Sequence, residues 1–429
     1  MKPVRKYDIR CPIHGFISLS AWERDIINHP AFQRLRRIRQ LAWTDYVYPG
    51  AMHTRFEHSL GVMQVATRLF ESVLRNSREV LQSEMKFTES ELDRSEQLVR
   101  LAALLHDVGH SPFSHASEDL FPFRDEKPGK RYVHEEYSSS IILHELAEVI
   151  EGANENCNLG IKAREVANLI EGSSNAGKDL FWKDLISGQM DADRMDYLQR
   201  DSYHLGVQYG RFDFNRVASC LVAVPGDSER SPRIGIEEGG WRAAESLILA
   251  RYSMFTQVYF HKTRIAYDCH LAGAMKNILP SGVFPKPSPG EVKDFLKWDD
   301  WRVQGALADG QGGEHAGRLL ERRHYRRVFG NPEVSTNADV LLYSKVSTAL
   351  GALVAHVANP EKSWYKVGKS DVPVLLENGS ILDSRPLSQI SRIVKAIEEP
   401  QGEILIYVRP EDVKNATEII KEVKQNANH

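Results

Sequence analysis

Cysteine is scarce in this chain of 429 residues, which contains only four cysteines and no CxxC pair. Scattered thiols exclude a disulfide framework and a cysteine-bound metal, and they favour a reducing compartment. The sequence also lacks a run of 18 apolar residues, and its start, MKPVRKYDIR, has no apolar segment. We therefore expect no signal peptide and no membrane partner, and a cytoplasmic protein.

A strong excess of either charge is absent too. The chain has 55 Lys and Arg against 58 Asp and Glu, a net charge of -3, which gives no general attraction to nucleic acid or to anionic membranes. One local basic cluster is formed by Arg34, Arg36, Arg37 and Arg39. It could be a solvated or ion-paired helix face or a nucleic-acid surface, so a nucleic-acid partner stays open.

Helical periodicity is what the sequence does contain. Residues 54–75 place apolar side chains at three- and four-residue steps, and Thr54 with Glu57 predicts a capping box at the start. A second box, Thr88 with Glu91, opens a helix that ends before Pro112, with the pair His106-Asp107 on its last turn. Further helical patterns occur near residues 137–150, 162–171, 189–203 and 241–277.

Glycine and proline divide the rest of the chain. Residues 279–290 predict a linker or an ordered crossover, and residues 308–317 predict a surface loop. After about Asp371, strand-like and helix-like segments alternate. The fold class we predict is mainly α, with a helical core in residues 1–280, a helical and loop extension in 281–370, and a small α+β subdomain in 371–429.

Metal-ligand residue types recur in the predicted helices, at His58, at His106-Asp107 and at Asp193. Imidazole with carboxylate suits one divalent ion such as Fe, Mn, Ni, Zn or Mg. Neighbours on a helix point about 100° apart. Other helices must therefore complete the shell around His106 and Asp107.

Two further patterns indicate a phosphate or ligand cleft. Arg55 lies in the first turn of the 54–75 helix, where the helix dipole disfavours a cation, and a bound phosphate would resolve the conflict. An ordinary surface arginine paired with Glu57 or another acid is the alternative. Farther along, Asp193, Arg194, Tyr197 and Asp201 follow one stripe of a helix, which could line a cleft or be a solvated face.

Several blocks, in order along the chain, resemble the HD-domain deoxynucleoside triphosphate triphosphohydrolases, and in particular their sterile-alpha-motif-and-HD-domain branch with its bacterial members. The blocks are IHG at 13–15, FQRLRRIRQL at 32–41, RFEHSLGV at 55–62, LLHDVGHSPFSH at 104–115, HE at 134–135 and DADRMDYLQRDSYHLG at 191–206. The resemblance runs from about residue 9 to 280 and implies an HD-domain helical core. We expect no sterile-alpha-motif domain ahead of it.

The resemblance also implies residue roles. The implied metal ligands are His58, His106, Asp107 and Asp193. The implied catalytic residues are His110, His115, Glu118 and His134, with His115 as the proton donor to the leaving 5'-oxygen and Glu118, in place of an Asp, orienting it. The implied triphosphate contacts are Arg55, Arg194, Tyr197 and Arg251, and the implied deoxyribose contacts are Gln40, Leu41, Asp201 and Tyr259. Arg194 replaces a lysine, and a planar guanidinium binds phosphate differently from an ammonium.

The implied reaction is attack of water on the α-phosphorus of a dNTP substrate, releasing deoxynucleoside and inorganic triphosphate in nucleotide-pool control or phage defence. The implied cofactor is one divalent ion, with room for a further Mg with the triphosphate. A homo-oligomer, dimer or tetramer, with a nucleotide activator at a subunit interface is also implied. Gln33 and Arg36 match the activator site, whereas Asn28, Tyr7, Asp8 and Cys11 depart from it.

Two alternatives remain open from the sequence. The chain could be another HD-domain phosphohydrolase, that is, a nucleotidase, a phosphodiesterase or a single-strand nuclease, although the GYP tripeptide of one phosphodiesterase branch is absent. It could also be a nucleotide sensor without turnover, which the presence of every implied metal ligand disfavours.

Overall fold

The structure is a computed structural model that describes residues 4–124, 129–226, 231–359, 370–378, 381–397 and 403–427. Helices dominate the described residues, which confirms the mainly α fold. The helices are α1 (Ala21–Asn28), α2 (Pro30–Gln33), α3 (Arg55–Ser83), α4 (Glu89–Leu105), α5 (His134–His144), α6 (Ala147–Glu151), α7 (Ala163–Glu171), α8 (Asp184–Ser187), α9 (Ala192–Leu205), α10 (Phe214–Ser219), α11 (Trp241–Met254), α12 (Lys262–Ile278), α13 (Val292–Phe295), α14 (Asp300–Ala308), α15 (Gly313–Leu320), α16 (Asn337–Leu350), α17 (Leu387–Ile390), α18 (Arg392–Ala396) and α19 (Val413–Ala427).

The strands are short and form three sheets. They are β1 (Arg5–Cys11), β2 (Gly15–Ser20), β3 (Leu221–Val224), β4 (Arg233–Glu237), β5 (Arg326–Gly330), β6 (Val354–Ala358), β7 (Pro373–Asn378), β8 (Ile381–Pro386) and β9 (Leu405–Val408). Strands β1 and β2 form an antiparallel hairpin, and the other two sheets have the orders β3-β4-β7-β8 and β5-β9-β6.

Helix α3 lies at the centre of the core and is longer than its predicted pattern. The main-chain N–H of Thr54 donates to the Glu57 carboxylate over 2.9 Å, which confirms the predicted capping box. Helix α9 packs closely on α3 because Gly61 has no side chain. A Cβ at Gly61 would lie 2.0 Å from Asp196 Oδ1 and 2.3 Å from Arg200 Nη2.

Helix α4 begins at the predicted Thr88 box and ends one residue before the HD pair. Leu105 is its last residue and His106 is the C-cap, so Asp107 follows the helix rather than lying on its last turn. The chain then turns through Phe113 and Ser114, whose φ values of 59° and 56° lie in the left-handed region. A 3-10 helix, Ser114–Leu120, follows.

Two segments differ from the sequence patterns. The pattern at 241–277 is broken by a π-helical turn, Phe255–Tyr259, between α11 and α12. The surface loop predicted at 308–317 is wrong in its second half, where α15 begins at Gly313. Gly312, with φ of 91°, turns the chain into α15, and Ala316 and Leu319 are buried one turn apart, which anchors the helix.

The C-terminal region confirms the α+β expectation. Strand β9 lies between β5 and β6 and is antiparallel to both, and α16 and α19 bury Val346, Leu350, Ala416 and Ile420 with that sheet. Strand β4 pairs in parallel with β7, so residues of the predicted core and tail share one sheet. The predicted boundaries at 280 and 371 stay a prediction. Residues 398–399, at the end of the helix-like segment 388–399, lie outside the described residues.

No helix in the described ranges combines the length and the apolar character needed to cross a bilayer.

Candidate metal and phosphate site

The Nε2 atoms of His58, in the first turn of α3, and His106, the C-cap of α4, face the same two carboxylates. His58 Nδ1 lies 2.8 Å from Asp196 Oδ2, and His106 Nδ1 lies 2.7 Å from the Ala103 carbonyl oxygen. Since both of these oxygens accept, each Nδ1 carries the hydrogen and donates it. In its neutral form, each ring therefore directs the Nε2 lone pair inward, as a metal-ligating histidine does.

Two carboxylates complete this group. Asp193 Oδ1 lies 3.0 Å from His58 Nε2 and 3.8 Å from His106 Nε2. Asp107 Oδ2 lies 3.5 Å from His58 Nε2, and Asp107 Oδ1 lies 3.2 Å from His106 Nε2. The predicted convergence of these four side chains from α3, α4 and α9 is thus present in the structure.

The residues fit a divalent ion. Ligand atoms of His58, His106 and Asp193 all lie within 4.8 Å of one another, a spacing that one ion at about 2 Å from each can span. Burial lowers the pKa of His58, but hydrogen bonds to Asp193 and Asp196 and the charge of Asp107 outweigh burial and raise that pKa to about 10. Either a second proton on His58 Nε2 or a cation between this nitrogen and the two carboxylates would compensate the negative charge of Asp107 and Asp193.

Sequence reasoning missed the carboxylate behind His58. Asp196 is fully buried and accepts from His58 Nδ1, from His14 Nε2 at 2.6 Å, and from Arg200 Nε and Nη2 at 2.8 Å each. Both His14 and Asp196 stand inside blocks that carried the resemblance, yet no role was assigned to either. Their position inside those blocks was the available signal. The contact itself could not be read from the sequence, because it joins the β1-β2 turn, α3 and α9 across long sequence separations.

A second histidine group adjoins the first. His110 Nε2 lies 3.1 Å from Asp107 Oδ1, and Glu118 Oε1 lies 2.9 Å from His134 Nδ1, 3.1 Å from His115 Nδ1 and 3.5 Å from His110 Nδ1. Ligand atoms of these three histidines and Glu118 also lie within 4.8 Å of one another. His115 is 57% exposed whereas His110 is 1% exposed, so His115 is the most accessible side chain of the group.

Electrostatics separate these histidines. Burial lowers the pKa of His134, but the hydrogen bond and charge of Glu118 reverse that effect and raise it to about 9. Burial, Arg55 and His134 together hold the pKa of His110 well below its ordinary value. At neutral pH the group therefore combines a protonated His134 with a neutral His110.

Arg55 faces the metal-ligand group rather than solvent. It is 3% exposed, its Nη1 donates to Asp107 Oδ2 over 2.5 Å, and its Nε donates to Ser114 Oγ over 2.9 Å. The alternative of a surface arginine is therefore wrong, and the acid that pairs with Arg55 is Asp107 rather than Glu57. Glu57 instead accepts from the main-chain N–H of Thr54.

The other predicted phosphate contacts form a group of their own. Arg194 Nη1 donates to the Asp191 carboxylate and the Gly188 carbonyl. Burial lowers the pKa of Arg251, and the charge of the nearby Tyr197 opposes this. Burial also raises the pKa of Tyr197 to about 12, against the charges of Arg251 and Arg194. Two guanidinium groups and one phenol thus lie close together on α9 and α11.

The predicted deoxyribose contacts surround a buried hydrogen-bonded set. Tyr259 OH donates to Asp201 Oδ2 over 2.5 Å, and the Tyr259 ring lies 6.1 Å from the Tyr197 ring. His53 Nε2, which sequence reasoning missed, lies 2.7 Å from Asp201 Oδ1. Leu41 is buried, and the buried side-chain oxygen of Gln40 has no hydrogen-bond partner within the part of the chain that the structure describes. An unsatisfied buried acceptor of this kind is available to a ligand.

Comparisons with known proteins agree with this geometry. The HD domain model matches residues 55–201, and the HD associated region model matches residues 228–425. The uncharacterized protein YwfO of Bacillus subtilis is 37% identical over 424 residues, covering 90% of this chain and 88% of that protein. The crystal structure of a hypothetical protein from Aquifex aeolicus has a TM-score of 0.78 at 27% identity, covering 96% of this chain and 99% of the other.

A relative whose name gives an activity matches a smaller share of this chain. The deoxynucleoside triphosphate triphosphohydrolase SAMHD1 homolog of Dictyostelium discoideum is 36% identical over 265 residues, or 61% of this chain, and the chain covers 47% of its length. The chain belongs to the SAMHD1-like HD-domain family of metal-dependent phosphohydrolases.

Proposed function

We propose that this protein is a dNTP triphosphohydrolase, which releases deoxynucleoside and inorganic triphosphate after water attacks the α-phosphorus. The observation that carries the proposal is the contact of Arg55 with Asp107. It sets a guanidinium directly beside the metal-ligand group, where a phosphate held near the ion would meet it. The named activity of the Dictyostelium relative supports the same reaction.

The metal ligands in this proposal are His58, His106, Asp107 and Asp193. A divalent ion, when bound, supplies a Lewis acid for the phosphoryl oxygen and lowers the pKa of water. The protein's own groups then act on the substrate. Arg55, Arg194 and Arg251 hold the negative charge of the triphosphate, and Tyr197 donates its phenolic hydrogen to a phosphate oxygen.

His115 is the proton donor to the leaving 5'-oxygen in this proposal. Glu118 accepts from His115 Nδ1 at 3.1 Å, which fixes the ring and leaves Nε2 directed away from Glu118. The exposure of His115 supports contact with a substrate, and His110 and His134 would bind the phosphoryl group beside it. The family resemblance implies an Asp at position 118. The longer Glu118 side chain still lies within hydrogen-bond distance of His115.

Deoxyribose would lie against Gln40, Leu41, Asp201 and Tyr259. The hydrogen bond between Tyr259 and Asp201 closes the space between α9 and the π-helical turn. A 2'-hydroxyl would need room between these two side chains, which are already in hydrogen-bond contact. This arrangement supports a preference for deoxynucleotides over ribonucleotides.

The assembly and regulation of the enzyme are part of the proposal. We expect a homo-oligomer, dimer or tetramer, with a nucleotide activator at a subunit interface and a further Mg with the triphosphate. Gln33 and Arg36, which match the activator site, hydrogen-bond to each other over 2.8 Å. Cytoplasmic location and any nucleic-acid partner stay predictions.

The test is a product assay. Purified protein is incubated with Mn²⁺ or Mg²⁺ and each of the four dNTPs, singly and mixed, and the products are resolved. Free inorganic triphosphate supports the proposal. Pyrophosphate, or phosphate released stepwise, would instead assign the chain to another HD-domain phosphohydrolase, and no turnover with any dNTP or mixture would favour a sensor.

A variant links the activity to this site. His106→Ala combined with Asp107→Ala removes two of the four ligands, so we expect at least a 100-fold loss of turnover and loss of bound metal in elemental analysis. The pair His144→Ala and Glu145→Ala, at the end of α5, is the matched control and should behave as wild type, because His144 is exposed and Glu145 is half-buried. Unchanged turnover in the first variant would refute the site assignment.

A further inference from the structure

Asp300 is a buried carboxylate from outside the matched HD domain. It is the first residue of α14, and it is 1% exposed. Its Oδ2 accepts from the main-chain N–H of Arg39 over 2.8 Å, and its Oδ1 accepts from the main-chain N–H of Phe113 over 2.7 Å. No cationic side chain in the described ranges lies within ion-pair distance of it, so main-chain N–H groups are its hydrogen-bond donors.

The two N–H groups belong to two segments of the candidate site, one that precedes α3 and one that follows the His106-Asp107 pair. Arg39 precedes Gln40 and Leu41, the proposed deoxyribose contacts. Phe113 lies between His110 and His115, the proposed catalytic histidines. One carboxylate therefore fixes the separation of the segment that would bind the sugar and the segment that would donate the proton.

Hydrogen bonds continue from these segments to the metal-ligand group. Ser114 Oγ donates to the Arg39 carbonyl over 2.8 Å and accepts from Arg55 Nε over 2.9 Å. Arg55 Nη1 in turn donates to Asp107. Asp300, Phe113, Ser114 and Arg39 thus close a ring of hydrogen bonds, and Arg55 connects that ring to a metal ligand.

The backbone at Phe113 needs such support. Phe113 and Ser114 are consecutive non-glycine residues in the left-handed region, a conformation that persists only when its surroundings impose it. Trp43 stacks on Phe113 with ring centroids 5.3 Å apart. Arg34, fully buried, donates to the carbonyls of His110 and Trp298 over 2.8 Å each, so the Trp298–Asp300 turn is tied to the same loop twice.

We propose that Asp300 is a positioning residue, through which the HD associated region holds the sugar-side segment and the catalytic loop at their working separation. The inference rests on the proposed function for its effect on turnover. Its effect on the two segments does not depend on that function. The region after the HD domain is, on this view, a structural part of the active site.

Hydrogen exchange tests the positioning directly and needs no substrate. In Asp300→Ala, peptides covering residues 36–41 and 110–116 should exchange at least tenfold faster than in wild type. The matched control is Asp371→Ala, a second buried carboxylate of the associated region, which accepts from Ser388. Unchanged exchange in the two peptides, or equal acceleration in the control, would overturn the inference.

Kinetics test the consequence. Asp300→Ala should lower kcat at least tenfold while bound metal stays at the wild-type level, because no metal ligand touches Asp300. Asp300→Asn keeps one acceptor oxygen and should fall between wild type and Asp300→Ala, and it serves alone if Asp300→Ala does not fold. A kcat within twofold of wild type in an active enzyme overturns the inference. If wild type hydrolyses no dNTP, the proposed function fails while the exchange result still decides the role of Asp300.

Discussion

Replacing Asp196 by Asn tests whether the metal-ligand group depends on a carboxylate that touches no substrate. Asp196 accepts four hydrogen bonds, from His58, His14 and twice from Arg200. Asparagine offers one acceptor oxygen, so its NH₂ group replaces either Oδ2, which accepts from His58 and Arg200 Nε, or Oδ1, which accepts from His14 and Arg200 Nη2. With the NH₂ group at the Oδ2 position, His58 loses the partner that fixes its Nδ1 hydrogen, and its Nε2 is no longer held as a ligand.

The expected magnitudes follow from these contacts. Removing the outer partner of a ligating histidine weakens metal binding by about 10- to 100-fold, or about 1.4 to 2.7 kcal/mol. Arg200, fully buried, also loses its nearer charged partner, and the remaining carboxylate, that of Glu57, lies 4.0 Å away. Removing one partner of a buried pair costs about 3 to 5 kcal/mol of unfolding free energy. Metal affinity must therefore be measured under conditions where the variant is still folded.

The assay is metal affinity by competition with a chelator, alongside urea unfolding of the metal-free protein. Glu23→Gln is the matched control, because Glu23 is also fully buried and pairs with the buried Arg100 through two bonds, of 2.6 and 2.9 Å. Both variants should lose comparable stability, and only Asp196→Asn should lose metal affinity. Metal binding within twofold of wild type in Asp196→Asn, or an equal loss in Glu23→Gln, would refute the reasoning.

Two other predictions concern charge. Arg55→Ala should raise KM or lower kcat for triphosphates by at least tenfold while His58, His106 and Asp193 still retain metal. The control is Arg78→Ala, an exposed arginine on the same helix. Complete loss of metal in Arg55→Ala would count against a phosphate role. The folded-state pKa of His134 is raised to about 9, so its contribution to stability is full below about pH 6.5 and is lost as pH rises through about 9. In metal-free buffer the decline of unfolding free energy across that range should therefore be shallower in Glu118→Gln than in wild type, and equal slopes would contradict the assigned partner.

The helices that carry the site were accessible from sequence because their signals are local. The boxes at Thr54-Glu57 and Thr88-Glu91 set two helix starts, and both helices begin where predicted. Arg55 was identified from its conflict with the helix dipole, and the structure gives it two partners at the site. The proposed ligands His58, His106, Asp107 and Asp193 could be named because residue type and order along the chain are themselves the signal.

Residues that act through long-range contacts were not accessible in the same way. His53, Asp196 and Asp300 are ordinary polar residues by sequence, and each acquires its role only when helices far apart in the chain pack together. The α15 helix was missed for a related reason. Its two glycines at 312 and 313 indicate a loop, whereas the burial of Leu319 against other elements decides that a helix forms.

Charge balance explains why a metal-ligand group and an arginine can share one buried site. The ligands and Asp196 contribute three carboxylates, those of Asp107, Asp193 and Asp196, and two guanidinium groups pair with them, those of Arg55 and Arg200. Three negative and two positive charges sum to -1 with neutral histidines, and a divalent ion changes this sum to +1. Without the ion, a second proton on His58, whose pKa is raised to about 10 despite burial by hydrogen bonds to Asp193 and Asp196, brings this sum to zero. A divalent ion bound in place of that proton would give the group a net positive charge and would favour polyphosphate, so we expect metal loading to precede productive substrate binding.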